Sequence, residues 1–167
     1  LAVSFDKTGN KNLNEQRIGL GYAHNIDNVS LGGKINLLQV AVKDLGTKTV
    51  VAFEFGGLAR LNNQLVFGAH IYNFSKTKVA DYVDERFSTV LKAGISYQPY
   101  EKLTINLETE KNVEYKADVK VGLEYFVIEK IAFRTGFSTL SNSGFFGLGL
   151  KTNSLNFDYA LSAHSNL

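Results

Sequence analysis

Tyr115-Lys116-Ala117-Asp118-Val119-Lys120-Val121-Gly122-Leu123-Glu124-Tyr125 alternates without a break between two chemistries. The odd positions, Tyr115, Ala117, Val119, Val121, Leu123 and Tyr125, are apolar or aromatic. The even positions, Lys116, Asp118, Lys120, Gly122 and Glu124, are charged or glycine. A period of two sends the two sets to opposite faces of one β-strand. At about 3.3 Å per residue such a strand runs more than about 30 Å. A tilted strand of about 9–11 residues is enough to cross a bilayer. The order of ring, aliphatic and ring on the apolar face suits a membrane band bordered by aromatic side chains.

Outward from this stretch the same plan recurs. Leu1–Asp6 reads as the tail of a strand. In Arg17–His24, Ile18, Leu20 and Tyr22 oppose Arg17, Gly19 and Gly21. In Val29–Val42, Leu31, Ile35 and Leu37 oppose Lys34 and Asn36; beyond Leu37 the alternation slips, which points to a bulge. Thr49–Arg60 sets Val51, Phe53, Phe55 and Ala59 against Glu54 and Arg60, and Arg86–Tyr97 sets Leu91, Ile95 and Tyr97 against Arg86 and Lys92. Leu65–Phe74, Leu103–Glu110, Ile131–Ser138, Phe146–Lys151 and Leu155–His164 complete about eleven strands, with no helical period anywhere. Thr152-Asn153 fits a two-residue hairpin turn.

The composition agrees. A chain of 167 residues suffices for one domain, 1–167, with a sizeable core. No run approaches the 18 or so apolar residues of a membrane helix. Gly is abundant at 15 and Pro occurs once, at Pro99, which suits long strands and tight turns. Cysteine is absent, which excludes disulfides and thiolate metal sites. A net charge of +2 supplies no global field for nucleic acid. Leu1 lies inside a strand-like pattern and the sequence contains no Met, so the expectation is a processed or cropped chain.

The connections sort by position. Those near 25–28, 61–64, 98–102, 127–130 and 152–153 are short, whereas those near 7–14, 76–85 and 139–143 are mostly longer and more polar, though the ones near 44–47 and 111–114 on that side are brief. Short turns on one side and longer loops on the other are what outer-membrane barrels show, the short side being periplasmic. Tyr22, Tyr97 and Tyr125 fall just before short turns, as an aromatic girdle requires. The sequence therefore predicts an all-β fold: an antiparallel up-and-down transmembrane β-barrel. An odd strand count does not complete a bacterial single-chain barrel, so about 12–14 strands are expected in the whole.

The polar face would line the lumen, with Arg17, Lys34, Glu54, Arg60, Lys92, Glu108, Glu110, Lys116, Asp118, Glu124, Arg134 and Asp158 upon it. A five-residue connection at 111–115 would set Glu110 opposite Lys116, and a three-residue turn at 128–130 would set Glu124 opposite Arg134. Opposite charges facing across strands contribute a fraction of a kcal/mol, roughly 0.2–1 each. A charged face excludes a hydrocarbon core on that side. The apolar face must then meet lipid or pack on a second sheet, and a soluble β-sandwich that binds a partner stays open as the alternative.

Candidate chemistry is sparse. Glu108 and Glu110 share a face as an acid–base pair would, but a ladder with Lys116 and Lys120 accounts for them more simply. Asp158, Ser162 and His164 share a face as orienter, nucleophile and base might be imagined to. Neighbouring positions on one strand do not make a hydrogen-bonded triad, and polar lumen residues are the preferred reading. His24, His70 and His164 lie on separate strands without ligand spacing, so no metal is expected. Gly19-Leu20-Gly21 and Gly144–Gly149 lack the strand–turn–helix setting of a phosphate loop. No cofactor and no enzymatic activity are expected. Lys76, Lys78, Asp81, Tyr82, Asp84 and Glu85 form the longest polar loop, a candidate surface for a protein partner.

Three C-terminal segments carry a resemblance. They are Phe133-Arg-Thr-Gly-Phe-Ser-Thr139, Phe145-Phe-Gly-Leu-Gly-Leu150, and Leu155-Asn-Phe-Asp-Tyr-Ala-Leu-Ser162 with His164. This order of an Arg-containing strand, a Gly-rich strand and a Tyr-Ala-hydrophobic-Ser-x-His ending resembles the last barrel strands of the PorV/PorQ-like outer-membrane proteins of Bacteroidota. It covers about the last 35 residues; the remainder shares general barrel texture only. The resemblance implies a barrel of the fatty-acid-transporter type in the outer membrane. It also implies an accessory role: binding other envelope proteins in a hetero-complex for type IX-like secretion or envelope assembly. The related transporter branch implies passage of hydrophobic small molecules instead. No catalytic residues are implied.

Overall fold

A computed structural model describes residues 1–43, 46–75, 88–152 and 154–164; among them the chain forms one antiparallel sheet of eleven strands and no helix. The strands are β1 (Ala2–Gly9), β2 (Leu13–Ile26), β3 (Val29–Val42), β4 (Gly46–Arg60), β5 (Leu65–Tyr72) and β6 (Val90–Tyr100). They continue with β7 (Leu103–Asn112), β8 (Asp118–Ile128), β9 (Ile131–Ser138), β10 (Ser143–Lys151) and β11 (Asn156–His164). Each strand neighbours the next in chain order, an up-and-down meander whose terminal strands are β1 and β11. Close contacts group the chain into two compact units. The first comprises Leu1–Leu58, Ala69–Leu91 and Asn112–Glu114; the second comprises Ala59–Gly68, Lys92–Lys111 and Tyr115–Leu167.

In the first unit, β1 pairs with β2 from Ala2↔Gly21 to Gly9↔Asn14. Strand β2 pairs with β3 from Leu13↔Val42 to Ile26↔Val29. Both strands of the β1–β2 hairpin reach further into the expected polar loop than the alternation indicated. The short link holds because Asn10 Oδ1 accepts the backbone N–H groups of Asn12 at 2.9 Å and Leu13 at 3.1 Å. Gly9 adopts φ 122°, and a Cβ there would stand 2.1 Å from the Leu13 carbonyl oxygen, so the position requires glycine. Between β2 and β3 only Asp27 and Asn28 intervene, with Asp27 at φ 51°, a conformation its short polar side chain tolerates.

The bulge expected beyond Leu37 is absent: the β2–β3 register runs unbroken. What looked like a slip is Leu38 taking its regular place on the polar face, where it is fully buried beside Val50 and Ala52. An apolar cluster interrupts that face, and its burial of aliphatic surface is favourable at about 25 cal/mol per Å². A change of phase does occur in β4, at Gly56-Gly57. Val51, Phe53 and Phe55 are exposed before it, and Leu58 and Arg60 after it. A Cβ on Gly57 would lie 2.7 Å from Leu31 Cδ2, so the missing side chain admits that leucine.

In the second unit, β8 pairs with β7 from Leu103↔Tyr125 to Glu110↔Asp118. Tyr115, Lys116 and Ala117 therefore precede the strand instead of opening it, and Glu110 faces Asp118, not Lys116. The strand begins where Asp118 is anchored (below), while Asn112 Oδ1 accepts the Glu114 N–H at 3.1 Å and turns the chain early. The second pairing expectation holds, with Glu124 opposite Arg134. The turn is Glu129-Lys130, and the β8–β9 register shifts between Phe126 and Ile128, so that β8 outlasts its regular alternation. Strand β10 pairs regularly with β9 and with β11. Lys151 pairs with Asn156, and the Thr152 N–H donates to the Leu155 carbonyl at 2.8 Å. The expected turn at Thr152-Asn153 includes Asn153, which lies outside the described residues.

Candidate functional site

In most strands, β1 and β11 excepted, burial follows the period of the chemistry, but with apolar and polar exchanged relative to a water-soluble core. Along β8, Val119, Val121, Leu123 and Tyr125 are exposed, whereas Asp118 is buried and Lys120 and Glu124 are half-buried. Among the described residues the buried apolar side chains are Leu38, Val50, Ala52 and Ala132; Asn36, Asn73, Thr89, Asp118, Ser138 and Ser143 are buried and polar. The exposed large apolar residues run through every strand. A solvated surface normally scatters such residues singly, and extended apolar faces mark contact with protein or membrane.

The polar face carries two networks. In the first unit, Asn36 Nδ2 donates to Glu54 Oε1 at 2.5 Å, and Glu54 Oε2 meets His70 Nε2 at 3.1 Å. Arg17 pairs with Glu15 at 3.2 Å and lies 5.5 Å over the Tyr72 ring, a cation–π contact. Lys34 packs its Cε over Gly19, where a Cβ would stand 2.3 Å from it and 2.6 Å from Asn36 Oδ1. Gly19 is therefore the gap into which neighbouring long side chains fold.

In the second unit, Lys120 Nζ donates to Glu110 at 2.5 Å and to Glu108 at 3.3 Å, and Lys92 Nζ reaches Glu110 at 3.0 Å. The carboxylate pair is thus a three-strand ladder on Lys120 and Lys92, without Lys116, which is exposed outside the strand. Asp118, 7% exposed, accepts from Ser138 Oγ at 2.9 Å, Thr139 Oγ1 at 3.2 Å and the Leu140 N–H at 2.8 Å. One carboxylate so anchors the β9–β10 connection onto the start of β8. Arg134 Nε donates to Glu124 at 2.5 Å while its Nη1 donates to Asp158, two strands away. Gly149 permits that span, because a Cβ there would lie 3.0 Å from Asp158 Oδ1 and 3.1 Å from Arg134 Nη1.

Of the residues expected on the polar face, Arg17, Lys34, Glu54, Lys92, Glu108, Glu110, Asp118, Glu124 and Arg134 are buried or half-buried there. Arg60, Lys116 and Asp158 are exposed. Tyr22, Tyr97 and Tyr125 are exposed near the ends of β2, β6 and β8. Phe133 and Tyr159, which alternation alone did not single out, share the level of Tyr125: the pairs Tyr125↔Phe133, Phe133↔Leu148 and Leu148↔Tyr159 make one row. Counting back from the turn at Glu129-Lys130 would set Phe133 opposite Phe126; the register shift between Phe126 and Ile128 is what brings it beside Tyr125. The candidate partner loop, Lys76 to Glu85, lies outside the described residues.

Asp158, Ser162 and His164 all sit on β11; Asp158 is engaged by Arg134, and no hydrogen bond joins the other two. Among the described residues no group of three or more His, Asp or Glu side chains is placed to hold a metal ion. Among the described residues no helix is long and apolar enough to cross a membrane. In comparisons with known proteins, no family model, no curated protein and no solved structure matches the chain.

Proposed function

We propose that this sheet belongs to an up-and-down transmembrane β-barrel of about 12–14 strands in the bacterial outer membrane. The barrel serves as an accessory subunit that binds a larger envelope complex, as the resemblance to PorV/PorQ-like proteins of Bacteroidota suggests. The exchange of polar and apolar burial carries the membrane reading. Exposed faces such as Val119, Val121, Leu123 and Tyr125 have no protein cover, while the charges pair on the opposite face. In water that arrangement forfeits about 25 cal/mol for every Å² of apolar surface left exposed. In a bilayer the same face meets hydrocarbon, the charged face meets a hydrated lumen, and aromatic residues mark the border. A sandwich would bury apolar faces between two sheets, whereas this chain forms one.

The accessory role rests on the C-terminal resemblance, and the charges of the polar face are engaged with one another. Lys92, Lys120 and Arg134 tie adjacent strands together and leave no catalytic constellation between them. Outer-membrane lipid and other envelope proteins are the partners of this reading; nucleic acid, metal and cofactor have no part in it. Leu38, Val50 and Ala52, clustered on the polar face, favour a second reading, a transporter of hydrophobic small molecules of the fatty-acid-transporter type.

Extraction of the native protein in mild detergent, followed by mass identification of what accompanies it, separates the two. A stoichiometric complex with larger envelope proteins is the expected result and would direct attention to Lys76–Glu85. A lone barrel carrying bound fatty acid would replace the accessory role by transport, and recovery without detergent would overturn the membrane reading.

A further inference from the structure

The exposed apolar rows of β1, β2 and β3, all in the first unit, stop at one level. Register places Val3, Leu20 and Ile35 in one row and Phe5, Ile18 and Leu37 in the next, and all six are exposed. The row that follows is Lys7, Gln16 and Gln39. It lies two residues on along each strand, so it shares the same face, yet it holds no apolar side chain. About 7 Å along the strands separates the two rows. Thr49, two residues before the exposed Val51, ends the apolar face of β4 in the same way.

The opposite face changes in the other sense. Towards the turn at Asp27-Asn28 it carries Lys34 and Asn36 of β3. Past Leu37 it carries Leu38, Val40 and Val42, the leucine fully buried and the valines half-buried. Both exchanges fall between Leu37 and Gln39. Apolar side chains turn outward where hydrocarbon meets the outer side, and inward where water does.

Charge on the exposed face has one sign. Among the described strand residues of this unit, Asp6, Glu15 and Glu54 all lie on the polar face: Asp6 opposite Arg17, Glu15 opposite Thr8, and Glu54 bonded to Asn36. Lys7 is the one Lys or Arg on the exposed face, and it makes no ion pair among the described residues. A lysine at the edge of an apolar band keeps its stem on apolar surface and its ammonium among the headgroups. Gln16 and Gln39 add carboxamide N–H donors to the same row.

We infer that the bilayer border runs between these two rows, and that Lys7, with Gln16 and Gln39, binds the phosphate groups of the phosphorylated glycolipid of the outer leaflet. A cationic rim without carboxylates is complementary to such a lipid. The inference rests on the membrane reading, with the short turn at Asp27-Asn28 on the periplasmic side.

Titration of the detergent-solubilised full protein with diphosphoryl lipid A tests it. Lys7→Gln is expected to weaken binding about five-fold, the effect of one lysine at an anionic lipid surface, and Lys7→Arg to retain it. Equal affinity of Lys7→Gln and the native protein would overturn the inference. Phosphatidylglycerol bound as tightly as lipid A would overturn the assignment to the glycolipid. The chain has no cysteine, so Phe5→Cys and Lys7→Cys each carry a unique label site. A polarity-sensitive fluorophore in bilayers should report hydrocarbon at the first and water at the second; hydrocarbon at both would overturn the border. Each of these failures leaves the membrane reading standing while the protein still requires detergent, whereas recovery without detergent would overturn both.

Discussion

Arg134 holds two carboxylates from different strands because glycine occupies the strand between them. Gly147 and Gly149 face its side chain, and at Gly149 a Cβ would come within about a van der Waals contact of the guanidinium and of Asp158. Gly149→Val should push Arg134 off Asp158 while leaving its bond to Glu124. The expected cost is about 0.5–1.5 kcal/mol, the net worth of one partly exposed pair, read from denaturant unfolding in detergent micelles. If the valine variant were as stable as the native protein, the glycine would have no part in the bridge. Asp118 is a stronger case, since it is buried and anchors the β9–β10 connection through a backbone N–H and two hydroxyls. Asp118→Ala should cost about 1–3 kcal/mol, the price of leaving buried donors without an acceptor. Amide exchange of Leu140 should accelerate with it; unchanged protection there would refute the anchoring.

At the scale of the element, β8 separates two environments within one strand. Single cysteines at Val119, Val121 and Leu123, labelled with a polarity-sensitive fluorophore in bilayers, should report hydrocarbon; those at Lys120, Gly122 and Glu124 should report water. An alternation of emission along the strand is the expected result, and uniform emission would exclude a membrane-spanning β8. Val121→Arg should destabilise the inserted protein by about 2–4 kcal/mol if the position lies near the bilayer midplane. Lys120→Arg, on the polar face, should cost far less, because it keeps the charge that Glu108 and Glu110 share. The alternation of this element was legible from its residues, but its start was not. Tyr115–Ala117 continue the period of two, yet Asp118 is where hydrogen bonds to Ser138, Thr139 and Leu140 fix the strand. Those partners lie some twenty residues away, beyond the reach of a local pattern.

For the whole molecule, the membrane reading predicts that the protein stays with the membrane fraction through a high-salt wash and is released by mild detergent. Release by salt alone would indicate a surface association, screened as exposed charges are. Composition and period determined the all-β class, the strand count and the division of each strand into polar and apolar sets, because a two-residue repeat is a property of the chain alone. The expected pairing of Glu124 with Arg134 is also observed, although the turn is one residue shorter than expected and a register shift between Phe126 and Ile128 makes up the difference. Tertiary structure decided the rest. It made Lys120 the centre of the Glu108–Glu110 ladder, placed Lys116 outside the sheet, brought Arg134 to Asp158 across Gly149, and turned Leu38 onto the polar face beside Val50 and Ala52. Each of these depends on the register between two or more strands, and register is set by pairing between segments that local sequence leaves undetermined.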